Sequence, residues 1–228
     1  MKRVWLIAWR EFGSIFRSPQ GFIIAALYLG LVGLDFNLRV LGGGEKYSSE
    51  VLQVFFHELS GFTMFFSIFI SMGLIARERE TGTMPLLLTS PVGDAQIILG
   101  KFMGAFFFLL LLTLATIYMP MMIMVNGKVS WGHVFAGYVG VLLLGAAALA
   151  IGTFASSMTR SQIVAVFVSL GIGAPMLLFW LLGKHIDKRL DDIFAYLALH
   201  NLHFQAFKTG KVHLRDIVYY LSVVTFFL

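Results

Sequence analysis

The sequence predicts an all-α integral membrane protein: a six-transmembrane-helix bundle preceded by an amphipathic helix lying in the membrane interface. Three observations carry that prediction. Hydrophobic residues make up 58% of the 228 residues and charged residues only 13%, against about a quarter charged in a water-soluble globule. Mean hydropathy is +0.85. The apolar residues are gathered in charge-free runs close to the roughly 20 residues a helix needs to cross a hydrocarbon core about 30 Å thick. There is no cysteine, which excludes disulfide frameworks and thiolate metal sites. The net charge of +5 comes from dispersed basic residues, which suits anionic lipid headgroups and not nucleic acid.

Residues 1–17, MKRVWLIAWREFGSIFR, begin like a secretory signal, but Arg10 and Glu11 interrupt the apolar stretch and a longer span follows directly. At helical period Arg3, Arg10, Ser14 and Arg17 share one face while Trp5, Trp9, Phe12 and Phe16 share another. That pattern predicts an interfacial helix with its aromatics toward lipid, ended by Pro19.

The spans follow at about 20–41, 59–76, 102–125, 134–158 and 162–183, separated by turn chemistry at Gly42–Gly44, Asn126–Lys128 and Ser157–Gln162. Pro120 and Pro175 fall inside spans and should kink them. The sixth run, 217–228, stops after 12 residues, half a membrane at about 1.5 Å per residue, so the sixth span is expected to be truncated in this sequence. The whole of 1–228 reads as one domain.

Positive charge should choose the sides. With the N-terminus inside, Lys2, Arg3, Arg10, Arg17, Arg77, Arg79, Lys101 and Arg160 face Arg39, Lys46, Lys128, Lys184, Lys188, Arg189, Lys208, Lys211 and Arg215, eight against nine. Six of those nine lie in the long outer connection 184–216; without it the count is eight against three for an inside N-terminus.

No phosphate-binding G-x-x-x-x-G-K-[ST] loop, G-x-S-x-G elbow or H-E-x-x-H helix is present, so the chain is expected to be non-catalytic and to bind no cofactor itself. His200 and His203, with His185 and His213 nearby, are read as interfacial histidines lacking a clear carboxylate partner. Ile186, Leu190, Ile193 and Leu197 predict an amphipathic helix within the outer connection. Asp35 and Arg39 are spaced for one intrahelical ion pair. Spans two to five carry no mid-bilayer acid, which argues against a proton-coupled carrier. Ala148, Gly152 and Ser156, and again Gly100 and Gly104, recur every four residues and should let helices approach closely.

The segment 77–101 is the exception to this apolar pattern. Arg77-Glu78-Arg79-Glu80 reads as a solvated helix end, and Thr81-Gly82-Thr83 as a stop followed by an N-cap. Met84–Thr89 reads as a short turn exposing Leu86, Leu87 and Leu88, and Ser90-Pro91 as the start of the next helix, with Asp94 complementing its dipole. An apolar knob ringed by charge suits docking of a soluble partner.

The pattern E-R-E-x-G-T-x-x-x-L-x-x-S-P at Glu78–Pro91, followed by Gly100-Lys101, resembles the signature of type-2 ABC transporter permeases, more narrowly the gliding-motility and copper-maturation subunits. LHNLHFQAFKTGKVHLRDIVYYLS, Leu199 to Ser222, is similar to the segment before the last span in that subgroup. The resemblance implies a permease of the bacterial inner membrane, largely an exporter, with a cytoplasmic N-terminus. It would pair with a second permease chain as a homo- or heterodimer, with cytoplasmic ATP-binding cassette subunits that hold ATP and Mg, and with a periplasmic partner protein in some assemblies. Glu78, Arg79 and Glu80 would be the polar contacts of its coupling helix, Gly82, Thr83 and Pro91 its turns, and Leu86, Leu87 and Leu88 its apolar anchor. The alternative is a membrane scaffold of an ABC-like complex that powers other machinery without moving a solute.

Overall fold

The computed structural model describes residues 2–42, 47–85, 92–183, 196–200 and 202–228, with backbone alone for 126 and 178–183. The helices are α1 (Lys2–Arg17), α2 (Pro19–Asp35), α3 (Ser48–Ser71), α4 (Ala76–Glu80), α5 (Asp94–Ala115), α6 (Tyr118–Asn126), α7 (Trp131–Met158), α8 (Gln162–Gly183), α9 (Phe204–Lys208) and α10 (Leu214–Phe227). No strand occurs among the described residues. Among the described residues four stretches are long and apolar enough to cross a membrane, Pro19–Val40, Ser48–Glu80, Asp94–Val125 and Trp131–Met158, and Gln162–Leu177 is a shorter apolar helix.

Each boundary has a local cause. Ser18 takes extended backbone and its hydroxyl accepts the Gly21 amide at 2.9 Å, with Pro19 opening α2. The interfacial stretch is therefore a helix of its own and not the frayed start of the first span. α2 runs on into one π-helical turn, Phe36–Val40, which presents Arg39 to Asp35 at 3.3 Å. α3 starts at Ser48, eleven residues before the expected 59, because Glu58 is accommodated inside the helix, 3.5 Å from Arg39. Between α5 and α6 the helix breaks at Thr116-Ile117, one turn before Pro120, where the proline ring displaces the preceding carbonyl. Pro175 is carried within α8.

α7 is the central helix, with 78% of its apolar window buried. Three of its glycines, Gly137, Gly145 and Gly152, fall about two turns apart along the seam with α3. A Cβ added at Gly137 would lie 2.3 Å from the Phe56 ring, at Gly145 2.9 Å from the Thr63 methyl, and at Gly152 1.8 Å from Ser71 Oγ. The expected small-residue packing is thus intrachain contact between α3 and α7. Buried hydroxyls on α3 satisfy themselves locally: Ser67 donates to the Thr63 carbonyl at 2.7 Å and Ser71 to that of Ser67 at 2.8 Å. Tyr28 of α2 meets Thr63 at 2.9 Å, so no hydroxyl in that seam is left bare in hydrocarbon.

At the end opposite α4, the segment after residue 196 folds back onto α10. His203 is fully buried; its Nδ1 lies 2.8 Å from Asp216 Oδ1 and its Nε2 3.0 Å from the Tyr196 carbonyl. Its ring stacks on Tyr219 at 3.7 Å, and the Tyr220 hydroxyl donates to the Leu199 carbonyl at 2.8 Å. This corrects the reading of His203 as an interfacial histidine without a carboxylate: its partner, thirteen residues on, is brought opposite it only by the chain reversal at Gly210, whose φ is +80°. The helix expected over residues 186–197 falls mainly outside the described residues.

Candidate functional site

The break between α3 and α4 is where polar chemistry concentrates. α3 ends at Ser71, and residues 72–75 turn without regular helical bonding before α4 begins. Such a break in an apolar stretch strands backbone groups. Ser156, fully buried on α7, answers three of them at once. Its hydroxyl accepts from the Ile75 amide at 3.1 Å and the Ala76 amide at 2.9 Å, and donates to the Met72 carbonyl at 2.9 Å.

The four charges of α4 then diverge to three different helices and to the residue that follows α7. Arg77 donates to the Gln20 side chain on α2. Glu78 accepts from Lys101 Nζ of α5 at 2.9 Å and from the Thr83 hydroxyl. Arg79 donates to the Thr159 carbonyl after α7 at 3.4 Å, and Glu80 accepts from Gln162 of α8 at 2.9 Å. Arg77 and Glu78 are half-buried, while Arg79 and Glu80 are exposed. The sequence pattern suggested a solvated helix end; the structure makes the four residues a hub between helices.

α4 ends as the glycine suggested. The Thr83 amide bonds the Glu78 carbonyl at 2.9 Å and the Gly82 amide bonds that of Arg79 at 3.3 Å, the paired bonds of a Schellman ending. Gly82 occupies the left-handed region at φ +72°, where a side chain would be strained. The Thr83 hydroxyl donates to the Glu78 carboxylate, which also accepts from Lys101, and the helix Thr83 was expected to cap lies mainly outside the described residues. Met84 and Pro85 take helical backbone, while Leu86, Leu87, Leu88 and Pro91 lie outside the described residues. The next helix starts at Asp94 behind Gly93, three residues after the expected Pro91, with Asp94 in its first turn.

α1 packs along the start of α5 on the other side of this hub. A Cβ added at Gly100 would lie 2.7 Å from Ile7, and one at Gly104 2.6 Å from the Ala8 carbonyl, so the two glycines form the seat of α1. Trp5, Trp9 and Phe16 are exposed on one face, as expected, and Arg10 is exposed on another. Phe12 is half-buried, stacked on Phe16 at 5.9 Å and packed against the core. The two-face reading therefore lacked a third face, Ala8, Glu11 and Ile15, that meets the bundle.

Lys101 lies beneath α1 with only 3% of its side chain exposed, bridging Glu78 at 2.9 Å and Glu11 at 3.2 Å. A cleft of about 540 Å³ opens between α1 and α4, lined in part by Arg10, Ser14, Arg77 and Lys101. Sequence reasoning counted Lys101 as an inner-side cation and, with Gly100, as part of the family pattern, but gave it no partner. The signal that could have found it is a lone lysine inside Gly100-x-x-x-Gly104, where close packing and a charge coincide. Among the described residues no group of three or more histidine, cysteine or acidic side chains could hold a metal.

An all-helical membrane bundle, with an amphipathic N-terminal helix seated beside a charged helix break, defines a class of multi-pass membrane protein. Within that class the chain belongs to the ABC-2 family of transporter proteins, whose family model matches residues 5–195. It is 33% identical over 117 residues to the Probable ABC transporter permease protein NosY of Pseudomonas aeruginosa, covering 50% of this chain and 42% of that protein. To the protein of the same name from Stutzerimonas stutzeri it is 33% identical over 107 residues, covering 46% of this chain and 39% of that one. The match thus spans about two fifths of these curated relatives.

Proposed function

We propose that the chain is the membrane-spanning permease subunit of an ATP-binding cassette transporter and that α4 with the segment to residue 101 is the element that receives force from a separate ATP-binding subunit. One observation carries this reading: α4 bonds to α2, to α5, to the residue after α7 and to α8 through four consecutive side chains. A push on a five-residue helix so connected is delivered to most of the bundle at once. A solvated helix end would deliver it to none.

In this proposal the N-terminus and α4 face the cytoplasm of a bacterial inner membrane, and a second permease chain completes the translocation path. ATP and Mg belong to the partner subunits, whose closure draws the two α4 segments together. Packed helices have discrete arrangements, so that motion switches the bundle between access states as rigid bodies. Export is the direction the family likeness favours. Of the residues expected to meet the partner, Arg79 and Glu80 are exposed; Glu78 serves inward, toward Lys101.

The test is Leu87→Asp, which puts a charge on the proposed apolar anchor. The cognate ATP-binding subunit, co-expressed and purified through a tag on this chain, should be recovered in much reduced yield with the variant. Recovery at full yield with unchanged ATP turnover would overturn the coupling assignment.

A further inference from the structure

The charges beneath α1 support a more specific reading, one that rests on α4 receiving force as proposed above. We infer that Lys101 is the joint that carries a displacement of α4 to α1, making the amphipathic helix a driven part of the switch and not a passive anchor. Glu78 and Glu11 come from helices that do not adjoin in sequence, and each reaches the same ammonium, at 2.9 and 3.2 Å. That ammonium is almost wholly buried and its carboxylate partners Glu11 and Glu78 are only 13% and 21% exposed, so salt screens the two pairs less than it would at a surface. Of the other side-chain contacts of α4, those through Arg79 and Glu80 are exposed and that of Arg77 to Gln20 is half-buried. Glu78–Lys101–Glu11 is accordingly an ion-paired connection that joins α4 directly to α1.

Gly100 and Gly104 flank the lysine and hold α1 at backbone distance: an added Cβ would come within 3.1 Å of the Val4 carbonyl at the first and 3.0 Å of the Phe12 amide at the second. α1 therefore cannot slide along α5 without leaving its seat. What remains for it is to travel with α5 and α4. Lys101 is a positioning residue in this account.

Because the sequence holds no cysteine, two introduced cysteines are unique spin-label sites. Leu6 on α1 and Met158 at the end of α7 are 68% and 62% exposed. With Leu6→Cys and Met158→Cys labelled in lipid nanodiscs, the chain should give one narrow distance. Lys101→Met should lose it to a broad distribution, and Lys101→Arg, which keeps charge and reach, should restore it. A Lys101→Met distribution as narrow as that of the parent chain would overturn the joint.

Should Lys101→Met fail to assemble, Glu11→Gln leaves the Glu78–Lys101 pair intact and must by itself broaden the distance; a narrow one overturns the inference equally. With the ATP-binding subunit bound, ATP should shift the Leu6–Met158 distance, and Glu11→Gln should abolish that shift while ATP turnover persists. A shift that survives Glu11→Gln refutes the joint. Failure of any ATP-binding subunit to associate would count against the proposed function alone, since the measurement on the isolated chain still decides the role of Lys101.

Discussion

Replacing Ser156 with alanine removes a single oxygen and leaves the α7 backbone and the packing of its Cβ unchanged. That oxygen holds three bonds in a fully buried place, two from the amides of Ile75 and Ala76 and one to the Met72 carbonyl. Hydrogen bonds between transmembrane helices average only about 0.6 kcal/mol, because the separated helices find other partners. Here two backbone amides lose the acceptor that answers the helix break, and each buried amide left bare costs about 1–3 kcal/mol. The amides dominate, and a loss of about 2–5 kcal/mol is expected for Ser156→Ala. Reversible unfolding of the purified chain in mixed micelles, titrated with a denaturing detergent, reads this directly, and Ser156→Thr, which keeps the hydroxyl, is the control for packing. A loss below about 1 kcal/mol would show that the 72–75 turn finds other partners at little cost, and would refute Ser156 as the residue that stabilises the break.

Three further substitutions examine other parts of the fold. Gly152→Val should destabilise by about 1–3 kcal/mol or more through overpacking, since its Cβ would fall 1.8 Å from Ser71 Oγ; adding Ser71→Gly should recover part of the loss in the same unfolding measurement. Gly104→Val should lift α1 from its seat, where the new Cβ meets the Ala8 carbonyl at 2.6 Å, and limited proteolysis should then cut within residues 2–17 much faster than in the parent chain. His203→Phe leaves the buried Asp216 carboxylate without its imidazole partner and should cost about 3–5 kcal/mol, whereas the double variant with Asp216→Leu should recover most of that loss, as apolar replacement of a whole buried pair often does. A double variant no more stable than His203→Phe would show that the dyad is not the source of the loss.

The legible features were those set by neighbours in the chain. The separation of α1 from α2 follows from Ser18 and Pro19, the end of α4 from Gly82, and the break before Pro120 from its ring. The Asp35–Arg39 pair follows from four-residue spacing. All of these act over one or two helical turns, where spacing implies contact. The early start of α3 was less legible because a glutamate reads as the end of an apolar run, yet Glu58 is held by Arg39 within the helix.

By itself, then, the sequence determined a helical membrane bundle, an amphipathic leading helix, and a charged break after the second apolar run that is followed by a glycine-terminated turn. Only the tertiary structure decided what that break is joined to. Lys101 finds Glu78 across 23 residues and Glu11 across 90, and Ser156 reaches Ile75 across 81. No periodicity links positions so far apart. They meet because an ammonium, a hydroxyl and bare amides taken out of water each require a partner, and the packing of α1, α5 and α7 brings those partners within reach.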